Sequence, residues 1–339
     1  MKISTYEELF EKDVIFIDVR TPREFNTDAI PKAKNIPLML DDEYAEVGTI
    51  YKQKSPDLAK KTAMLYVSKR LPEIYESFVN LSRQNKNTLI IVYCARGGMR
   101  STSVGNLLST LGLPIAKLDG GYKSYRKFVV KKLEEEIKKV KFVTLFGKTG
   151  CGKTDILHYL KEKNYDILDL EGCANHRGSL LGHIGLNEQH SQKKFETLVL
   201  DILLNRKSNL IFTEGESKRI GNIIMPNYIY DAINNYFLVE ITSPLETRID
   251  TISKMYISKN LDKNIVFNAL LKMKNYMHGD IYKEAYRLIE AENYSKFTEI
   301  IMINYYDKVY SCNKENVCGT VDYNGDFEKA LTDILKLVK

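Results

Sequence analysis

The sequence predicts an α/β fold in two domains, and three observations carry that expectation. Short apolar runs at residues 14–19, 89–93, 142–146 and 209–213 have the length and the branched content of buried strands. Two of these runs lead directly into glycine-bearing loops, residues 94–101 and 147–154, and each loop is followed by a helix start. The 339 residues are enough for about two domains, at roughly 150 residues each.

In chain order, residues 1–126 read as a small α/β domain holding the first two runs. Residues 127–140 follow as a connecting helix, with Val129, Leu133, Ile137 and Val140 on one apolar stripe and charges opposite. Residues 141–339 read as a parallel-sheet domain with a mainly helical segment at about 245–303 and a closing helix at 326–338. Hydroxyl residues at 101–103 mark the start of the helix after the first loop.

Composition narrows the function classes. No apolar run is long enough to cross a membrane, and the N-terminus has no apolar signal core, so the expectation is a cytoplasmic protein with no membrane partner. Five cysteines, at 94, 151, 173, 312 and 318, are an odd count with irregular spacing, which fits reduced thiols. Cys312 and Cys318 have no second pair to complete a zinc site. A net charge of +6 and a pI near 8.8 are too modest to require a nucleic-acid partner. Between Arg248 and Lys296, however, Lys254, Lys259, Lys263, Lys272, Lys274, Lys283 and Arg287 alternate with Tyr256, Tyr276, Tyr282, Tyr286 and Tyr294. Such a pattern can neutralise phosphates and stack on unpaired bases, although a solvated helical face is the simpler account.

The first loop, Cys94-Ala95-Arg96-Gly97-Gly98-Met99-Arg100-Ser101, places a cysteine between a strand end and a helix start. Backbone N–H groups and the positive end of the helix dipole then converge on the sulfur, and surroundings of this kind favour a nucleophilic thiolate. Arg96 and Arg100 add positive charge, and Gly97, Gly98 and Ser101 complete a loop able to cradle an anion. The competing account, an inert buried cysteine, does not explain the glycines.

The second loop, Gly147-Lys148-Thr149-Gly150-Cys151-Gly152-Lys153-Thr154, matches G-x-x-x-x-G-K-[ST] at every fixed position, between a strand and a helix. Its glycines let backbone N–H groups approach a diphosphate, Lys153 reaches the terminal phosphate, and Thr154 is a candidate Mg²⁺ ligand. Glu214, at a strand end, is the candidate second ligand, and Glu216 is a further candidate acid. No Asn-Lys-x-Asp guanine signature is present, which leaves ATP or a non-nucleotide diphosphate ester. The polar run at 169–179, with Asp169 and His176, is placed to shape the substrate side of this site. Gln189, Gln192 and Lys193 read as solvated residues at a helix start.

The first domain resembles a rhodanese domain. The resemblance rests on the segments at 18–25 and 29–37, the cysteine loop, and Leu118-Asp119-Gly120-Gly121-Tyr122. Five residues separate Cys94 from Arg100, one more than in the usual sulfur-carrying rhodanese loop and equal to the cysteine-phosphatase spacing. Joined to the phosphate loop, to Glu171-Gly172-Cys173-Ala174-Asn175-His176-Arg177-Gly178-Ser179, to the segment at 216–221, and to Tyr305-Tyr306-Asp307 with Tyr310, the whole resembles the tRNA 2-selenouridine synthase family.

That resemblance implies a tRNA-modifying transferase. It would replace sulfur by selenium in wobble 2-thiouridine by way of S-geranyl-2-thiouridine, with geranyl diphosphate and selenophosphate as substrates. It further implies that Cys94 takes up or helps deliver selenium, and that Arg96, Gly97, Gly98, Arg100 and Ser101 hold the donor anion. Residues 147–154 would hold the diphosphate, and Arg248, Lys254, Lys272 and Tyr305 would contact tRNA. Three other readings stay open: a fused sulfurtransferase and ATP-dependent kinase, a cysteine-loop phosphatase, and a non-catalytic RNA-binding protein.

Overall fold

The apolar runs become central strands of two parallel sheets. The computed structural model describes residues 1–179, 182, 185–257, 263–309 and 317–338. It divides into two units, Met1–Lys131 and Lys132–Lys339. Lys259, Tyr310, Cys312 and the side chain of Tyr256 lie outside the described residues.

The first unit's sheet contains β1 (Lys2–Ser4), β2 (Val14–Asp18), β3 (Lys34–Asn35), β4 (Leu89–Tyr93) and β5 (Ile115–Leu118). Their order is β1-β5-β4-β2-β3, and every pair is parallel. Consecutive residues Ile90, Ile91, Val92 and Tyr93 are all fully buried, so β4 is covered on both faces, as parallel strands generally are. The helices are α1 (Tyr6–Leu9), α2 (Pro22–Thr27), α3 (Asp41–Gln53), α4 (Pro56–Gln84), α5 (Met99–Thr110) and α6 (Gly121–Ile137). A capping box starts α2: Glu24 N donates to Thr21 Oγ1 at 3.3 Å, and Thr21 N donates to Glu24 Oε2 at 3.2 Å. Pro22 occupies the first turn, where its missing N–H costs nothing. Gly120 and Gly121, both at positive φ, make the turn into α6, so this helix starts earlier than the apolar stripe alone suggests.

The second unit begins with β6 (Lys141–Phe146), β7 (Ile167–Leu168) and β8 (Leu210–Glu214). An antiparallel ribbon of β9 (Arg219–Ile220) and β10 (Ile223–Ile224) follows. With β11 (Phe237–Thr242) and β12 (Val317–Asp322), the main sheet has the order β12-β11-β6-β8-β7, again with every pair parallel. Around it lie α7 (Lys153–Glu162), α8 (Leu170–Ala174), α9 (Gln192–Leu204) and α10 (Asn227–Asn235). Val143, Leu145, Leu157, Phe212, Val239, Ile241 and Ile334 form its core.

A helical segment of α11 (Leu245–Ile257), α12 (Lys263–Met273), α13 (Gly279–Glu290) and α14 (Tyr294–Ile301) has its own core, built on Leu270, Met273, Ile289, Phe297 and Ile301. A π-turn, Met302–Tyr306, leads into the short α15 (Asp307–Val309), and α16 (Phe327–Leu337) packs on the main sheet. Among the described residues, no helix is long and apolar enough to cross a membrane.

Candidate functional site

Cys94 directly follows β4 and is 3% exposed. Gly97, at φ +64°, and Gly98, the N-cap of α5, bring the chain back so that Ser101 Oγ lies 3.2 Å from Cys94 Sγ. The loop is tied down from the other side. Tyr122 N donates to the Cys94 carbonyl at 2.9 Å, and Lys123 N donates to that of Ala95 at 3.0 Å. A Cβ on Gly121 would collide with the Cys94 carbonyl oxygen and the Gly97 nitrogen, and φ is +60° there, so glycine is required. Lys117 Nζ donates to the Gly97 carbonyl at 3.1 Å.

The two loop arginines differ. Arg96 is exposed and makes no side-chain hydrogen bond or ion pair among the described residues. Arg100 grips Glu24 with both nitrogens, at 2.6 and 3.3 Å, and its guanidinium lies 4.5 Å from the centre of the Tyr44 ring. Burial alone would raise the Glu24 carboxyl, but its hydrogen bond and charge attraction to Arg100 outweigh that and hold it below the usual carboxylate range. Behind the loop, buried Arg20 Nη2 donates to Asp18 Oδ2 at 2.6 Å and to the Asp28 carbonyl at 2.7 Å. Tyr122, whose ring Arg20 covers at 4.3 Å, donates to Asp28. Segments 18–25, 29–37 and 118–122 therefore converge on the cysteine loop, with Asn35 Nδ2 donating to the Asp18 carbonyl at 2.8 Å and Ile30 N to Tyr93 Oη at 3.3 Å.

The phosphate loop turns from β6 into α7 through Gly147, Gly150 and Gly152, at φ +150°, +81° and +87°. Neighbouring atoms leave no room for a Cβ: Ile241 O faces Gly147, Arg248 O faces Gly150, and the Tyr323 ring faces Gly152. Lys153 Nζ donates to the loop's own carbonyls, Gly147 at 2.8 Å and Lys148 at 3.2 Å. Thr154 Oγ1 donates to Glu214 Oε2 at 2.9 Å. The two candidate metal ligands are thus in direct contact.

Sequence reasoning missed a third acid. Glu171, in the first turn of α8, offers a carboxylate oxygen that lies within 4.8 Å of those of Glu214 and Glu216, all three mutually close. Burial and then the Glu214 and Glu216 charges push the Glu171 carboxyl up to about 10. Burial followed by Glu216 and Asp169 raises Glu214 to about 8, and burial raises Glu216 as well. Gly178 packs on this cluster, where a Cβ would lie 2.5 Å from Glu216 Oε2. Asp169 caps α8 through Gly172 N at 2.7 Å and meets His158 Nε2 at 3.1 Å.

These groups line a cavity of about 1350 Å³. It begins at the phosphate loop, passes the three glutamates, and reaches His176, Gln189, Asn222, Lys272, Tyr305 and Tyr306. The polar run at 169–179 does reach the cavity wall, as its composition suggests. Gln189 and Gln192 are not idle surface groups. Gln189 bonds the Ile220 carbonyl at 2.8 Å and Asn222 N at 3.0 Å, and Gln192 Oε1 accepts from Ile224 N at 3.0 Å, so both clamp the β9-β10 ribbon.

The basic residues of the helical segment divide by location. Arg248 is 4% exposed. Its Nε donates to the Thr149 carbonyl at 2.9 Å and its two Nη groups to Asp307 at 2.6 and 3.0 Å, so it braces the phosphate loop. Lys254 pairs with Asp250 at 2.5 Å. Lys272 is exposed at the cavity wall, and Tyr305 is buried in the helical core with its edge on the same cavity. Asp307, which the sequence offered only within the Tyr305-Tyr306-Asp307 segment and with no role, ties Arg248 and Lys148 together.

Comparison with known proteins accounts for both halves. Residues 3–128 match the rhodanese-like domain, and residues 140–291 match the tRNA 2-selenouridine synthase AAA domain. The tRNA 2-selenouridine synthase of Hydrogenovibrio crunogenus is 32% identical over 97% of each chain. That of Pseudomonas putida is 30% identical over 95% of this chain and 94% of its own. Matches of that extent, with both loops formed as their residues require, make this chain a member of the tRNA 2-selenouridine synthase family of enzymes.

Proposed function

We propose that this enzyme acts in the cytoplasm on the wobble 2-thiouridine of tRNA, exchanging its sulfur for selenium in two steps divided between the two loops. In the first step the thiocarbonyl sulfur attacks the allylic carbon of geranyl diphosphate. A C–S bond forms, the C–O bond breaks, diphosphate leaves, and the N3 proton of the base passes to solvent. In the second, the selenium of selenophosphate attacks C2, the geranyl thiolate departs, and water takes the phosphoryl group from selenium. Alkylation is what makes the sulfur a leaving group.

The phosphate loop suits the first step. Its glycines expose backbone N–H groups, and Lys153, parked on two carbonyls, needs only to exchange them for phosphate oxygens. Thr154 and Glu214 fit Mg²⁺, because both are oxygen donors already in contact and Glu214 Oε1 is buried without a hydrogen-bond partner. When bound, Mg²⁺ would neutralise charge on the departing diphosphate. The cysteine loop suits the second step, with Cys94 beside Ser101, Gly97 and Gly98 in the turn, and Arg96 and Arg100 supplying positive charge.

The observation that carries the reading is the size and lining of the cavity. At about 1350 Å³ it exceeds the roughly 300–1,000 Å³ of ordinary small-molecule pockets, and its far wall is polar and aromatic. A prenyl diphosphate together with an inserted nucleobase would account for that volume. The test is mass spectrometry of tRNA nucleosides after incubation with geranyl diphosphate and selenophosphate. Geranylated and selenated uridines are expected in turn, with Cys94→Ser stopping at the geranylated form. Turnover of ATP without tRNA, and no change in the nucleosides, would overturn the assignment in favour of a kinase.

A further inference from the structure

The geometry points to a divalent-cation site built from three carboxylates, Glu171, Glu214 and Glu216, which extends the Thr154 and Glu214 pair into a chelating cage. The inference rests on the reading of the loop as a diphosphate site only for its purpose; the chelation itself follows from this chain's own residues. Three carboxylate oxygens lie within 4.8 Å of one another, and among the described residues no lysine, arginine or histidine forms an ion pair with any of them. Lys153, whose charge acts on all three carboxyls, holds its ammonium group on the Gly147 and Lys148 carbonyls rather than on any of them.

A second observation points to a ligand. Glu214 is 1% exposed, yet its Oε1 has no hydrogen-bond partner, while its Oε2 is held by Thr154. A buried carboxylate oxygen left without a partner is destabilising, so such atoms are retained where something else completes them. Hard oxygen donors of this kind select Mg²⁺ or Mn²⁺ over thiophilic metals.

An octahedral ion with ligands at about 2.1 Å sets neighbouring oxygens about 3 Å apart, so the three side chains would draw inward on binding. Gly178 leaves them that freedom, since any larger residue would press on Glu216 and Glu171. The remaining positions would face the cavity, where diphosphate oxygens can complete the shell.

The experiment is a Mn²⁺ titration of the protein alone, followed by electron paramagnetic resonance of the free ion, with no tRNA and no geranyl diphosphate present. One Mn²⁺ per chain is expected. Glu171→Gln/Glu216→Gln should weaken it at least tenfold, and Mn²⁺ should raise the melting temperature of the parent but not of the variant. A variant that binds within twofold of the parent would leave only the two-residue site and overturn the inference. A parent that takes up no Mn²⁺ would end it whatever the variant does. Because the readout contains no chemistry, it can fail while geranylation stands, or hold while geranylation fails.

Discussion

The two loops follow the same plan, strand then glycine turn then helix, but they balance charge in opposite ways. At the cysteine loop the partly buried cation has its counter-ion: Arg100 is locked to Glu24, Cys94 lies against a hydroxyl and backbone groups, and only the exposed Arg96 is left to solvent. At the phosphate loop Lys148 pairs with Asp307, Lys153 rests on atoms of its own loop, and three carboxyl groups gather with no ion-pair partner among the described residues. On the proposed reading, the first site is largely preformed, whereas the second would be completed by its ligands. A preformed receptor suits a small anion that must be presented in one orientation. An uncompensated one suits a substrate that brings its own charges and a metal ion.

The largest effect expected from this difference is at Lys153. Lys153→Ala removes the one basic side chain of the phosphate loop that would follow the diphosphate into the transition state. Geranylation should fall by roughly 10²–10³-fold, a typical loss for one charged stabiliser. Because Lys153 bonds only atoms of its own loop, two carbonyls and the Cys151 sulfur, the melting temperature should barely change. Nucleoside mass spectrometry and a thermal melt together check this. A large loss of stability would mean that the loop is not waiting for a ligand.

Gly121→Ala probes the opposite character of the cysteine loop, where folding and function depend on the same contact. A left-handed backbone costs a non-glycine residue roughly 1–2 kcal/mol, and the new Cβ also collides with the Cys94 carbonyl oxygen. A melting shift of several degrees is expected together with loss of selenium insertion, while the geranylated nucleoside still forms. If selenium insertion continues unchanged in a destabilised protein, the Cys94 loop is not the selenium site.

How much of this was legible follows from how local each signal is. The two loops could be read because strand, turn residues and helix start are adjacent in sequence, and Glu214 could be read because it ends an apolar strand. Glu171 could not be read as an acid of the same cluster, since α8 and β8 meet only through the sheet, and its spacing to Glu214 has no periodic meaning. Glu24 looks like a helix-capping residue in sequence, which it is, while its second role with Arg100 depends on contact between α2 and α5. The Arg248 and Asp307 pair was not legible for a related reason: a lysine- and tyrosine-rich helical segment suggests an exposed face, and only packing turns Arg248 inward. β12 escaped notice because Gly319 interrupts a short, mostly exposed edge strand.

Glu24→Gln sharpens the comparison more gently. Glutamine keeps the reciprocal cap at the start of α2 but removes the charge that holds Arg100. A partly buried bidentate pair of this kind contributes on the order of 1 kcal/mol. The expected result is a small drop in melting temperature, about a tenfold loss of selenium insertion as Arg100 loses its fixed position, and unaltered geranylation. Equal losses in both products would show that the variant disturbs folding rather than donor presentation.

The smallest effect tests charge balance within the second unit itself. Glu136 on α6 is the counterpart of the uncompensated cluster. Burial would raise its carboxyl, but hydrogen bonds from Lys139, Arg206 and Lys132 bring it down to about 2. A carboxylate lowered on folding binds fewer protons than in the unfolded chain, so its stabilisation is full above the ordinary value near 4.5 and is lost as pH falls toward about 2. After screening by solvent the contribution is about 1 kcal/mol, or roughly 2–4 °C of melting temperature. Glu136→Gln should therefore melt a few degrees below the parent at pH 7, and the gap should close on acidification below pH 4.5. The raised carboxyls of the cluster act with the opposite sign, because the folded state holds their protons more tightly and loses stability as pH rises. A difference between parent and variant that widens in acid would contradict the three-cation clasp on Glu136, and with it the contrast between a carboxylate the fold has already paired and carboxylates it has left for a ligand.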